Sequence, residues 1–228
     1  MAVAAPSRQQ VQVCIGKAGL PLGSLVYMKQ GRRENCAFAY DETWLANPVR
    51  FNVSADLQLM PGYQSHKAVS AHDSVFHGAM ADTAPDAWGR RVIARDHAKR
   101  RKGDSLLPAL TELDYLLAVD DFSRVGALRL RDPEGNWYRT VPAGRRSTPL
   151  IELERIYQAS RAVECGQETA EDLRYLQGKG TSLGGMRPKC TLVDEDGRLA
   201  IGKFPSVNDT RSVTRGEVLA LKLAALAG

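Results

Sequence analysis

Cysteine is scarce in this chain: four residues in 228, none of them forming a C-x-x-C pair. That excludes a zinc ribbon or a disulfide scaffold, and Cys14, Cys36, Cys165 and Cys190 read as scattered, reduced thiols of a cytosolic protein. Histidine is equally sparse, with four residues and none at ligand spacing from a cysteine. His66, His72, Asp73 and His77 fall close together but without a fixed spacing, so they read as surface polar residues and imply no metal site. No run approaches the ~20 apolar residues that cross a bilayer. The N-terminal MAVAAPSRQQ also lacks a basic segment followed by an apolar one. The expectation is a soluble cytoplasmic protein with no membrane partner.

The length and a hydrophobic fraction of 43% suit one large or two small globular domains with real cores. A net charge of +5 and a pI near 9.1 allow contact with nucleic acid without demanding it. The basic run Arg90, Arg91, Arg95, Lys99, Arg100, Arg101 and Lys102 reads as a solvated helix face, with contact to phosphates or an acidic partner as the alternative. Trp88, at helical spacing with Val92, reads as a core residue.

Periodicity divides the chain. Over residues 11–60 the short apolar segments VQVCI, LGSLVY, CAFAY and VRFNVS, bounded by Gly, Pro or Asn, predict a small β-meander. Helical spacing follows from Val75 to Lys102, with Pro85 near the first turn of one helix, then from about Leu110 to Val119, before the strand-like VGALRLRD. Residues 133–149 are rich in Gly, Pro and Arg and read as a linker. The domains are therefore set at 1–145 and 146–228. In the second, an amphipathic helix near Leu150–Gln177 precedes the most unusual stretch of the chain.

That stretch is GKGTSLGGMRPKCTLV, Gly178 to Val193, with four glycines, two adjacent hydroxyls and three basic residues ahead of a strand. Glycine-rich loops of this kind cradle phosphates with backbone N–H groups, or serve as plain connectors. KCTLV and RLAIGKF form a predicted hairpin about the DEDG turn. Lys203 lies in its second strand, where a lysine is ordinarily an edge residue. Glu217 opens the helix TRGEVLALKLAALA, where a glutamate ordinarily complements the helix dipole. Taken in order, glycine loop, hairpin, strand lysine and helix glutamate follow the small lobe of a protein kinase, in which the lysine binds ATP phosphates and the glutamate orients it.

TSLGGMRPK, then GKFPS and the E-x-x-A-L-x-L-A-x-x-A-G helix, resemble the HipA-type serine/threonine kinases, toxins of bacterial toxin–antitoxin modules. FAYDETWL, FHGAMADTAPDAWGRRVIAR and LLAVDDFSRVGALRLRD resemble that family's N-terminal subdomain in the family's order. The resemblance implies an α+β fold: an N-terminal subdomain with a small antiparallel sheet and helices, then the beginning of a protein-kinase-like small lobe. It further implies autophosphorylation at Ser182 and nucleotide contacts from Gly184, Gly185, Met186, Arg187, Lys189 and Lys203, with Glu217 orienting Lys203. ATP and Mg²⁺ are the implied cofactors of the complete family fold. A HipB-like helix-turn-helix antitoxin is the implied partner, with DNA contacted mainly through it.

The aspartate that receives the substrate proton and the Mg²⁺ ligands of a kinase follow the helix glutamate in sequence. Asp121-Phe122-Ser123 and Arg95-Asp96-His97 imitate two of those motifs but precede Lys203. The chain is thus expected to be an N-terminal portion with no catalytic residue of its own, no bound cofactor and no phosphoryl transfer. A non-catalytic module that binds the antitoxin or another partner is the alternative.

Overall fold

The structure is a computed structural model that describes residues 7–66, 68, 70, 73–121, 123–138, 150–177, 185–193, 196 and 198–228. In chain order the elements are β1 (Ser7–Ile15), β2 (Leu20–Gln30), β3 (Arg33–Tyr40), α1 (Glu42–Ala46), β4 (Gln64–His66), α2 (Gly78–Ala81) and α3 (Ala87–Gly103). They continue with α4 (Glu112–Ala118), β5 (Leu128–Arg131), α5 (Leu150–Cys165), α6 (Ala170–Gln177), β6 (Lys189–Val193), β7 (Leu199–Lys203) and α7 (Val213–Ala227). The fold is α+β. The chain forms two compact units: Met1–Ala84 with Ala109–Thr140, and Pro85–Pro108 with Val141–Gly228.

The first unit is built on an antiparallel sheet ordered β4-β3-β2-β1-β5. The β1–β2 connection bends through Gly16 and Gly19, both in the left-handed region. At Gly19 a Cβ would also meet the Trp137 ring at 2.6 Å, so two requirements converge on glycine. Trp137 in turn lies 3.7 Å from the guanidinium carbons of both Arg129 and Arg131, measured to its ring centroid. One face of the sheet supplies Val11, Val13, Leu25, Tyr27 and Phe38 to a core closed by Trp44, Leu57, Phe76, Met80, Leu113 and Leu116. The helix α4 starts at a reciprocal cap between Thr111 and Asp114. Its other end is held by the buried Arg124, whose guanidinium donates to the carbonyls of Leu116, Val119 and Thr83 at 3.0–3.3 Å. Burial pulls that guanidinium down to about 10.

VRFNVS is not a strand. Ahead of it Glu42–Ala46 form α1, capped by Asp41, and the chain then turns at Asn47, whose carbonyl accepts from Arg50 N and whose side chain accepts from Val49 N. With those amides committed to a turn and Val53 N donating to the Tyr40 hydroxyl, no ladder forms. The outer position of the sheet goes to β4, in PGYQSH.

The second unit packs Trp88 and Val92 of α3 against Ile156, Ala159 and Val163 of α5, Leu173 and Leu176 of α6, and Cys190 of β6. Trp88 is thus a core residue. The span Leu150–Gln177 is two helices, because Gly166 takes a left-handed conformation and Thr169 with Asp172 caps a new start. No residue of α7 is buried: Val218, Leu219, Leu221, Leu223 and Leu226 are all exposed. No helix among the described residues is long and apolar enough to cross a membrane.

Candidate functional site

In the second unit β6 and β7 pair antiparallel, with Lys189 directly opposite Lys203. The ladder is continued by Phe204 N, which donates to Pro188 O at 3.1 Å. Two like charges at directly opposed positions repel, since their Cβ atoms stand about 4.5–5.5 Å apart. Each lysine has its own carboxylate. Lys189 donates to Asp86 Oδ2 at 3.0 Å in a pair whose side chains are 7% and 5% exposed. Lys203 donates to Glu217 Oε1 of α7 in a pair that is 48% and 39% exposed.

The segment entering β6 is held from two sides. Gly185, at φ +99°, presents its carbonyl to Trp88 N at 3.3 Å. Arg187 makes a two-pronged contact with Asp209, at 2.6 and 2.5 Å, that fixes the turn after β7. The hydrogen bonds from Arg187 outweigh desolvation and hold the Asp209 carboxyl below the usual aspartate range. Glu164 of α5 braces the same turn by accepting from Ser206 Oγ and Val207 N. Met186 is exposed. Ser182 and Gly184 lie outside the described residues, as does most of the DEDG turn. The structure therefore brings Lys203 and Glu217 together within reach of solvent and commits Lys189 to a buried contact.

Residues 15–117 match the family model described as HipA N-terminal domain. This portion of the chain is similar to that domain. No curated protein matches the chain. Within the matched stretch the segment APDAWGRR gives α3 its Asp86 cap, which accepts from Gly89 N at 2.6 Å while its other oxygen holds Lys189.

The two imitation motifs have structural occupations. Asp121 is bound by Arg129, Arg95 contacts Glu168 at 3.1 Å, and His97 Nε2 reaches Pro108 O at 2.8 Å. Lys99 also donates to the Glu168 carbonyl, so part of the basic run is internally committed.

One constellation of the first unit has no fixed spacing that would announce it in the sequence. Asp56, His66 and His77 converge so that their donor atoms all lie within 4.8 Å of one another. Two of the histidines in the sequence cluster take part, joined by an aspartate from an irregular loop. His72 lies outside the described residues, and Asp73 accepts from Ser70 N.

Proposed function

We propose that the chain contains the opening part of the nucleotide-binding lobe of a HipA-type serine/threonine-protein kinase, attached to its N-terminal domain. In this reading ATP phosphates lie against the backbone of Gly184, Gly185 and Met186 and the charges of Arg187 and Lys203, with Glu217 orienting Lys203. Lys189, opposite Lys203, contributes field while its contact with Asp86 fixes the strand. The observation that supports the reading is the Lys203–Glu217 pair, which joins the second hairpin strand to the following helix and stays half-exposed. An ammonium has three donors and the glutamate takes one, so the group suits a phosphate oxygen.

ATP would supply the phosphoryl group and arrive with Mg²⁺. Ser182 is the proposed acceptor of autophosphorylation, which would place a charge of about −1.5 to −2 where ATP phosphates bind. A HipB-like helix-turn-helix antitoxin is the proposed partner, and DNA is reached through it.

The test is titration of the 228-residue chain, which is expected to carry no cofactor as isolated, with a fluorescent ATP analogue and Mg²⁺ up to concentrations at which weak binding saturates. Saturable binding that Lys203→Met weakens at least about tenfold, and that Ser182→Asp weakens while Ser182→Ala does not, is the expected result. Binding that is absent, or indifferent to Lys203→Met, would leave Lys203 an ordinary edge residue and end this reading.

A further inference from the structure

Three segments of the first unit meet at the edge of its sheet: the turn at Ser54–Leu57, the strand β4 and the residue that precedes α2. Each brings one polar side chain. Asp56 Oδ2 lies 2.7 Å from His77 Nδ1 and 3.2 Å from His66 Nδ1. The far nitrogens of both rings are also engaged, His77 Nε2 with Gln64 O at 3.1 Å and His66 Nε2 with Ser74 O at 3.0 Å. The two ring centroids are 5.0 Å apart and their planes cross at 63°.

These contacts set a proton-counting problem. A backbone carbonyl only accepts, so each Nε2 carries a hydrogen. A neutral imidazole then has a bare lone pair at Nδ1, and both lone pairs face a carboxylate oxygen that is also an acceptor. With neutral rings, three lone-pair atoms face one another, and one of them belongs to His77, whose side chain is only 2% exposed, so the space between them suits a cation.

We propose that Asp56, His66 and His77 form a binding site for a divalent metal ion of the zinc class, ligated by Asp56 Oδ2 and the Nδ1 atoms of both histidines. One cation then sits among the three lone pairs, and the carboxylate faces opposite charge. Imidazole with carboxylate is a donor set for borderline metals, Zn²⁺ foremost. Ligands about 2.0–2.1 Å from a tetrahedral zinc stand about 3.3 Å apart. The His66–Asp56 separation already matches, and the His77–Asp56 separation has to open by roughly half an ångström. Asp56 can supply that movement, since it sits in a turn with its side chain 40% exposed.

The outer contacts are those that a metal site needs. Each ligating ring donates its other N–H to a backbone carbonyl, which fixes the tautomer that leaves Nδ1 for the metal. The second carboxylate oxygen of Asp56 accepts from Ser54 Oγ, which orients the group. Ser54 Oγ is itself within 3.3 Å of Ala79 N in α2. Three protein ligands leave a fourth position for water, on the side where Asp56 is exposed. Among the described residues β4, a strand of three residues, pairs only with β3, and the ion ties it to two segments that form no ladder there.

The experiment uses the full chain, stripped with a chelator and titrated with zinc chloride in a calorimeter. One ion per chain is expected, with a rise in the thermal midpoint. Asp56→Asn and His66→Gln, both at partly exposed side chains, each weaken binding by about tenfold or more, at least what loss of an outer-shell partner costs. His97→Gln, on α3, leaves it unchanged. Nitrogen-15 spectra of the histidine rings supply a readout that needs no variant. With zinc, the His66 and His77 Nδ1 signals shift to the metal-bound position and Nε2 remains protonated. The proposal is overturned by absence of stoichiometric binding, by binding that survives both substitutions, or by rings protonated at both nitrogens in the presence of zinc.

Discussion

Asp86 and Lys189 stand 103 positions apart in sequence and meet in a buried ion pair of 3.0 Å, in which the aspartate also caps α3. Because both side chains are shielded from water, removing the lysine leaves the buried Asp86 carboxylate without its cation. Lys189→Met should destabilise the second unit by about 3–5 kcal/mol. The double change Asp86→Asn with Lys189→Met should cost less than Lys189→Met alone, since no charge is left unpaired while the cap is kept. Urea midpoints of the three proteins decide this.

The pair formed by Lys203 and Glu217 is half in water and should behave in the opposite way. Exposed pairs contribute about 0–1 kcal/mol. Glu217→Ala is therefore expected to leave the thermal midpoint nearly unchanged while weakening binding of the ATP analogue, because Lys203 loses its orientation. A large loss of stability would mark the pair as part of the packing instead.

Acid should dissolve the clamp between Arg187 and Asp209. The Asp209 carboxyl titrates below the ordinary aspartate value near 3.9, so its contribution is fully present above that value and is lost as pH falls through the lowered one. The stability gap between the native chain and Asp209→Asn should accordingly be constant above about pH 5 and close on further acidification. Urea titrations over that range measure it. A gap that widened toward low pH would contradict the sign.

The four thiols should separate by access. Cys165 is exposed, whereas Cys14, Cys36 and Cys190 are buried. Burial also pushes the Cys36 thiol up to about 11 and raises Cys14. Ellman's reagent at mildly alkaline pH is expected to modify one thiol per native chain and all four after denaturation.

The hairpin of the second unit was legible because its strands are short apolar runs on either side of a turn signal, and the pairing of β6 with β7 follows from them. Glu217 could be placed beside Lys203 from the order of elements alone. Other features lie where local pattern is silent. VRFNVS has the composition of a strand, but Asn47 and the Tyr40 hydroxyl take its amides, and a hydroxyl donated from another strand leaves no trace in a periodicity. The Asp56, His66 and His77 cluster escapes for a related reason. Its members are 10 and 21 positions apart across irregular backbone, so no fixed repeat announces them. The sequence placed His66 and His77 near one another but had no means of bringing Asp56 to them.

The packing of Trp88 against residues as distant as Cys190 sets a timetable for synthesis. While the chain is made, α3 emerges with its apolar face and the Asp86 carboxylate complete, yet nothing that covers them exists until α5, α6 and β6 follow. At about 5–20 residues per second, that interval is on the order of ten seconds. During it, Trp88 and Val92 are available to chaperones or to the wrong partner, while the sheet that begins at Ser7 can already pair its first three strands. The ribosome therefore presents this chain in an order that its second unit cannot use until late.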